Sequence, residues 1–204
     1  MILNEETLKL LYLLKQNHPH TYLHSINVAN YSVLLGQKLG LDSKSIERLK
    51  IIGLFHDIGK LQIPNSILRK PSKLTDGEYE VIKNHPIYSV ELLKRAGFKN
   101  EDVLRSIKAH HERIDGTGYP EGIDESKIPV LARITAISDS FEAMTSNRCY
   151  RSRQDLDYAR EELIKGAGKQ FDKEIVNVFI DLIDKEISKV KTRESEEKDL
   201  WKLK

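Results

Sequence analysis

The sequence predicts an all-α fold, a compact single-domain bundle of about eight or nine helices with no sheet. Three observations carry that reading. Apolar residues recur at helical spacing through most of the chain. Capping residues, glycines and prolines punctuate those runs at helix-length intervals. No stretch alternates apolar and polar residues as a half-buried strand would. The length of 204 residues suits one domain with a short appendage and is enough to bury a core without staples.

The elements follow in order. Asn4 caps a first helix whose first turn holds Glu5 and Glu6 and whose apolar side holds Leu8 and Leu11. A second helix is expected from about Thr21 to Leu39, ending at Gly40. A third starts at caps Asp42 and Ser43, carries Ile46, Leu49, Gly53 and His56 on one face, and is expected to end near Gly59. Residues 61–74, with Pro64 and Pro71, read as a structured loop. Thr75 and Glu78 have capping-box spacing. Pro86 fits the first position of the next helix, with His85 at its mouth. Asn100 caps a helix carrying Val103, Leu104 and Ile107, which His110 and His111 are expected to close. Residues 113–128 form a loop, and Pro129 opens a long helix to about Thr145. Two more helices are expected, over 153–165 and 172–192. In domain terms, 1–17 is an N-terminal helix, 18–185 the main domain, and 186–204 a charged helix end or tail.

Composition narrows the function classes. Lys plus Arg is 33 and Asp plus Glu is 31, so the net charge of +2 gives no field that would draw a nucleic-acid polymer or a membrane surface. The longest apolar runs, such as Ile51-Ile52-Gly53-Leu54-Phe55, fall far short of a bilayer span. Glu5 and Glu6 sit where a secretory signal would be basic. The single cysteine, Cys149, rules out an intramolecular disulfide and an all-cysteine metal site. A cytoplasmic protein is expected.

The histidines carry the chemistry. His24, His56, His110 and His111 fall on apolar faces or at helix ends, and Asp57 adjoins His56. Buried imidazoles and carboxylates need partners, and a metal site serves them all. Asp139 lies mid-helix in an apolar stretch, with Ala132, Ala136 and Ala143 at helical neighbour positions that leave room beside its carboxylate. Adjacent helical residues point ~100° apart, so the pairs His56–Asp57 and His110–His111 suggest two ions rather than one. Two ions roughly 3.5–4 Å apart form the clamp used in phosphate-ester hydrolysis. Imidazole and carboxylate donors without thiolate suit iron, manganese, zinc or nickel.

His24, His56-Asp57 and Asp139, spread over helices, resemble the HD superfamily of metal-dependent phosphohydrolases. The run His110-His111-Glu112-Arg113-Ile114-Asp115-Gly116-Thr117-Gly118-Tyr119-Pro120 resembles the signature of its HD-GYP subfamily. Supporting segments are His56-Asp57-Ile58-Gly59-Lys60, Asn84-His85-Pro86 and Asp139 to Arg148. The resemblance covers about residues 18–185 and implies an HD-type helical fold and a phosphodiesterase. The expected reaction is opening of cyclic di-GMP to pGpG, GMP or both by a hydroxide bridging two divalent ions, with iron or manganese favoured over zinc or nickel. It implies His24, His56, Asp57, His85, His110, His111 and Asp139 as metal ligands, Asp57 bridging and catalytic. It implies Lys60 as a catalytic and substrate-binding residue near the scissile phosphate, with Gly118, Tyr119, Arg148 and Arg151 also binding substrate.

The chain departs from the pattern in two places. His20 stands where three-metal relatives carry a glutamate, so a third ion is not favoured, and Cys149 replaces a usual proline. Glu112 and Asp115 are expected to order the loop rather than to catalyse. Two other readings stay open: hydrolysis of another cyclic dinucleotide or a nucleotide, and a catalytically weak cyclic di-GMP-binding module. Partner signalling proteins or a homodimer are compatible with either.

Overall fold

Ten helical segments enclose a main hydrophobic core and a small second cluster of Ala109, Ile128 and Ala132 in the computed structural model, which describes residues 3–146 and 156–185. They are α1 (Glu5–Asn17), α2 (Pro19–Lys38), α3 (Ser43–Phe55), α4 (Asn65–Leu68), α5 (Asp76–Lys83), α6 (His85–Arg95), α7 (Glu101–Lys108), α8 (Val130–Thr145), α9 (Leu156–Gly166) and α10 (173–185). Two 3-10 turns, Ile58–Gln62 and Glu125–Lys127, fall between them. The described residues contain no strand, only an isolated bridge between Ala167 and Phe171.

The predicted caps hold. Asn4, Asp42, Thr75 and Asn100 each accept a backbone N–H of the first turn that follows, and Thr75–Glu78 forms a complete capping box. This answers donors that the helix itself leaves without partners. Four boundaries differ from expectation. α2 starts at Pro19, two residues early, because a proline at the first helical position loses no hydrogen bond. α3 ends at Phe55 instead of running to Gly59. The span 61–74 is not all loop, since it contains α4. α7 ends at Lys108, so His110 and His111 stand in the turn beyond it.

The early end of α3 has a visible cause. The Ser89 hydroxyl on α6 donates to the His56 carbonyl at 2.7 Å and accepts the Gly59 N–H at 2.8 Å. The backbone there is tied to a neighbouring helix rather than to its own next turn. A Cβ on Gly59 would lie 2.1 Å from the His85 carbonyl oxygen, so this approach requires glycine.

Packing sets the frame around these turns. α2 and α3 cross so closely that a Cβ on Gly53 would fall 2.4 Å from the Ala29 Cα. Leu49, Ile52 and Phe55 of α3, Leu14 of α1, and Ile134 and Ile137 of α8 are fully buried. Each such side chain contributes about 1.5–3 kcal/mol of burial. Phe141 of α8 meets Tyr31 of α2 and Phe179 of α10 edge to face, both at 5.1 Å. Helix α8 is thereby held against α2, which fixes the position of Asp139 relative to His24. No helix among the described residues is long and apolar enough to cross a membrane.

Candidate metal centre

The seven residues expected as ligands converge from five parts of the chain. His24 comes from the middle of α2, His56 and Asp57 from the end of α3, His85 from the start of α6, His110 and His111 from the turn after α7, and Asp139 from α8. They form three overlapping groups whose donor atoms lie within 4.8 Å of one another: His24, His56 and Asp57; His56, His110 and Asp139; His85, His110 and His111. Among them, His24 Nε2 is 3.0 Å from Asp139 Oδ1, and His85 Nε2 is 3.2 Å from Asp57 Oδ1.

Backbone geometry fixes which nitrogen faces inward. His56, His85 and His110 each donate Nδ1–H to the carbonyl three residues earlier, those of Gly53, Ile82 and Ile107, at 2.8, 2.7 and 2.6 Å. A neutral imidazole has one N–H and one lone pair, so Nε2 is left as the acceptor on all three. His85 Nε2 and His110 Nε2 then face each other at 3.3 Å as two lone pairs. His56 Nε2 is buried without a hydrogen-bond partner among the described residues. Such atoms are costly unless something electropositive sits between them. The donor set fits a divalent cation.

The protonation states agree. Burial holds His56, His110 and His111 below the ordinary histidine range, His111 at about 3. Burial alone would raise Asp57 and Asp139. Lys60 holds Asp57 well below the usual carboxylate range, and His24 does so for Asp139. His24 differs: its bonds to Asp139 and Glu142 overcome burial and raise it to about 9. Neutral imidazoles and ionised carboxylates are the forms that bind a metal, so His24 alone would have to release a proton to ligate one.

Glu142 is a candidate-site residue that the sequence reading missed. Its buried carboxylate bonds His24 Nδ1 and also accepts from Asn27 Nδ2 at 3.1 Å and the Ser146 hydroxyl at 2.5 Å. A carboxylate behind a ligating imidazole fixes the ring and raises its basicity. The signal was available: Glu142 follows Asp139 by one helical turn and so shares its face.

Lys60 lies at the edge, its Nζ 2.5 Å from Asp57 Oδ2. Tyr119 stacks on His111, with ring centres 4.7 Å apart. Gly118 runs so close to Glu112 that a Cβ would meet its Cα at 2.5 Å. Glu112, buried, accepts the N–H groups of Glu121, Gly122 and Ile123, and Asp115 accepts from Thr117, so both order the loop as expected. Arg148, Arg151 and Cys149 lie outside the described residues. His20 is exposed and belongs to none of the donor groups among the described residues. A cleft of about 960 Å³ opens beside the centre, lined by His24, Asp57 and Lys60 together with His18, Leu68 and Arg69.

A family model described as HD domain matches residues 10–175. A cyclic di-GMP phosphodiesterase of Thermotoga maritima is 35% identical over 197 residues, covering 94% of this chain and 52% of that protein. The cyclic di-GMP phosphodiesterase PA4108 of Pseudomonas aeruginosa is 35% identical, covering 82% of this chain and 40% of that protein. The 3'3'-cGAMP-specific phosphodiesterase 2 of Vibrio cholerae is 36% identical, covering 82% and 32%. The chain thus spans about half or less of the length of these relatives. Among solved structures, Bd1817, a HDG"Y"P protein from Bdellovibrio bacteriovorus, aligns with a TM-score of 0.68 at 20% identity, covering 89% of this chain and 58% of that one. The PgpH HD domain of L. monocytogenes, in complex with cyclic-di-AMP, aligns with a TM-score of 0.64 at 20% identity, covering 89% and 96%. Both share the fold. With the HD domain match spanning most of the chain and the His110–Pro120 signature wrapped over the donor cluster, this chain belongs to the HD domain family, in its HD-GYP branch.

Proposed function

We propose that the protein is a metal-dependent phosphodiesterase that hydrolyses cyclic di-GMP, with two divalent ions, iron or manganese, held by His24, His56, Asp57, His85, His110, His111 and Asp139. The observation that carries this is the set of inward-facing lone pairs, above all His85 Nε2 against His110 Nε2 at 3.3 Å beside the ionised Asp57. Relatives named for cyclic dinucleotide hydrolysis support the substrate class. So does the cleft, whose volume of about 960 Å³ lies at the upper end of ligand pockets, ~300–1,000 Å³.

Divalent ions supply Lewis acidity and lower the pKa of water. The chain's own residues do the rest. Asp57, with one oxygen toward His85 and the other toward His24 and His56, is placed to join the two halves of the ligand set. Lys60 carries a positive charge beside Asp57 at the cleft, where a charged hydrogen bond can meet a phosphate oxygen. Tyr119 and Gly118 form a loop wall against His111. Arg148 and Arg151 are assigned to substrate phosphate by the motif alone. The protein acts in the cytoplasm on this reading.

The test is product analysis by chromatography. Metal-stripped protein is reloaded with iron, manganese or zinc in turn and given cyclic di-GMP, 3'3'-cGAMP or GMP-containing linear dinucleotide. Metal-dependent appearance of pGpG or GMP is expected. Binding of cyclic di-GMP with no product under any metal would leave only a binding module.

A further inference from the structure

The cleft beside the donor cluster also carries residues of a different chemistry. Arg69, at the C-cap of α4, lines it together with His18, Pro19, Leu23, Leu68 and Pro71. These are mostly apolar or flat surfaces, suited to a planar ring rather than to a hydrated anion. The guanidinium is anchored: Arg69 Nη2 donates to the Asn17 carbonyl at 2.8 Å, across the junction of α1 and α2. Among the described contacts that bond engages one of the five N–H donors an arginine carries. His18, at the same junction, is half-buried and near enough to feel both Arg69 and Lys60. Arg69 thus shares one cleft with apolar side chains and with the groups proposed to meet the reacting phosphate, and keeps free N–H donors to offer a ligand.

We propose that Arg69 is a specificity residue that reads guanine, donating two N–H bonds to O6 and N7 of one base of the bound cyclic dinucleotide, with that base lying in the slot formed by His18, Leu68 and Pro71. This rests on the phosphodiesterase reading of the cleft. Adenine offers an acceptor at N7 but a donor at N6, so the same fork faces one mismatched group. A bidentate arginine–guanine pair discriminates by roughly 5- to 100-fold.

The test is calorimetric binding to chelator-treated protein, in which no turnover confuses the reading, with cyclic di-GMP and cyclic di-AMP as ligands. The wild type should prefer cyclic di-GMP. Arg69→Ala should weaken cyclic di-GMP roughly 5- to 100-fold and change cyclic di-AMP less than about twofold. Arg69→Lys should not restore the preference, because an ammonium keeps the charge but lacks the fork. Manganese content and helical circular dichroism of the variants should match the wild type and so report an intact fold and centre. Equal loss for both ligands, rescue by lysine, or no loss at all would overturn the assignment. Wild-type protein that keeps the base preference but never hydrolyses cyclic di-GMP would instead sink the phosphodiesterase reading and leave Arg69 standing.

Discussion

Glu142 sets His24 apart from the other candidate ligands. His56, His85 and His110 lean on backbone carbonyls, whereas His24 leans on a buried carboxylate that its neighbours hold down at about 2. Glu142→Ala should therefore lower metal affinity about 10- to 100-fold while helical content by circular dichroism stays unchanged. Chelator competition measures it, and an unchanged affinity would mean that Glu142 only fills space. Asp57→Ala should do more, since both its oxygens face imidazoles: metal content falls and turnover drops ~100-fold or more. A variant keeping full metal content and near-native turnover would refute the shared role. His20→Ala should leave metal content unchanged, because the ring is exposed and outside the donor groups. Loss of an ion in that variant would place His20 among the ligands. The seven residues that converge were legible because histidine and aspartate are rarely placed on apolar faces without cause, and the resemblance to the HD-GYP family named His85, which periodicity did not. Glu142 escaped because a glutamate in a helix is ordinary until its burial is known.

At the scale of the element, the turn after α3 positions the HD pair. Ser89 replaces the helix's own bonds at His56 and Gly59, and this lets His56 and Asp57 point toward a common centre although they are adjacent. The sequence reading extended α3 to Gly59 because the bond that stops it comes from 30 residues away, on α6. The same blindness put His110 and His111 in a helix that ends at Lys108. Caps were read correctly because their partners sit within one turn; Thr75 and Glu78 answer each other locally. Ser89→Ala should leave the Gly59 N–H and the His56 carbonyl unpaired in the interior, a cost of about 1–3 kcal/mol. Denaturant unfolding of the metal-free protein checks it. Stability within about 0.5 kcal/mol of wild type would show that the serine is not what ends the helix.

For the whole molecule, the main core and one donor cluster share the same helices. The core residues Leu35, Ile52, Phe55, Ile107 and Ile137 lie on α2, α3, α7 and α8, which also present or lead into the donors. The core brings together the lone pairs of His85 Nε2 and His110 Nε2 at 3.3 Å, which repel one another while no cation lies between them. Part of the folding energy is spent on that crowding, so metal binding should return stability to the entire bundle. A ligand bound only by the folded state stabilises it by about 4 kcal/mol at a thousandfold excess over its dissociation constant. For a chain of this size each kcal/mol shifts the melting temperature by about 2–4 °C. Removing the metals with a chelator should then lower the melting temperature by roughly 8–16 °C, and adding manganese back should restore it. Circular dichroism of the stripped protein at low temperature should still report a helical bundle, because the core forms without the ions. The Asp57→Ala protein should show a much smaller shift under the same treatment. A melting temperature indifferent to chelator in the wild type would mean that the cluster holds no tightly bound cation, and the metal reading of the centre would fall with it.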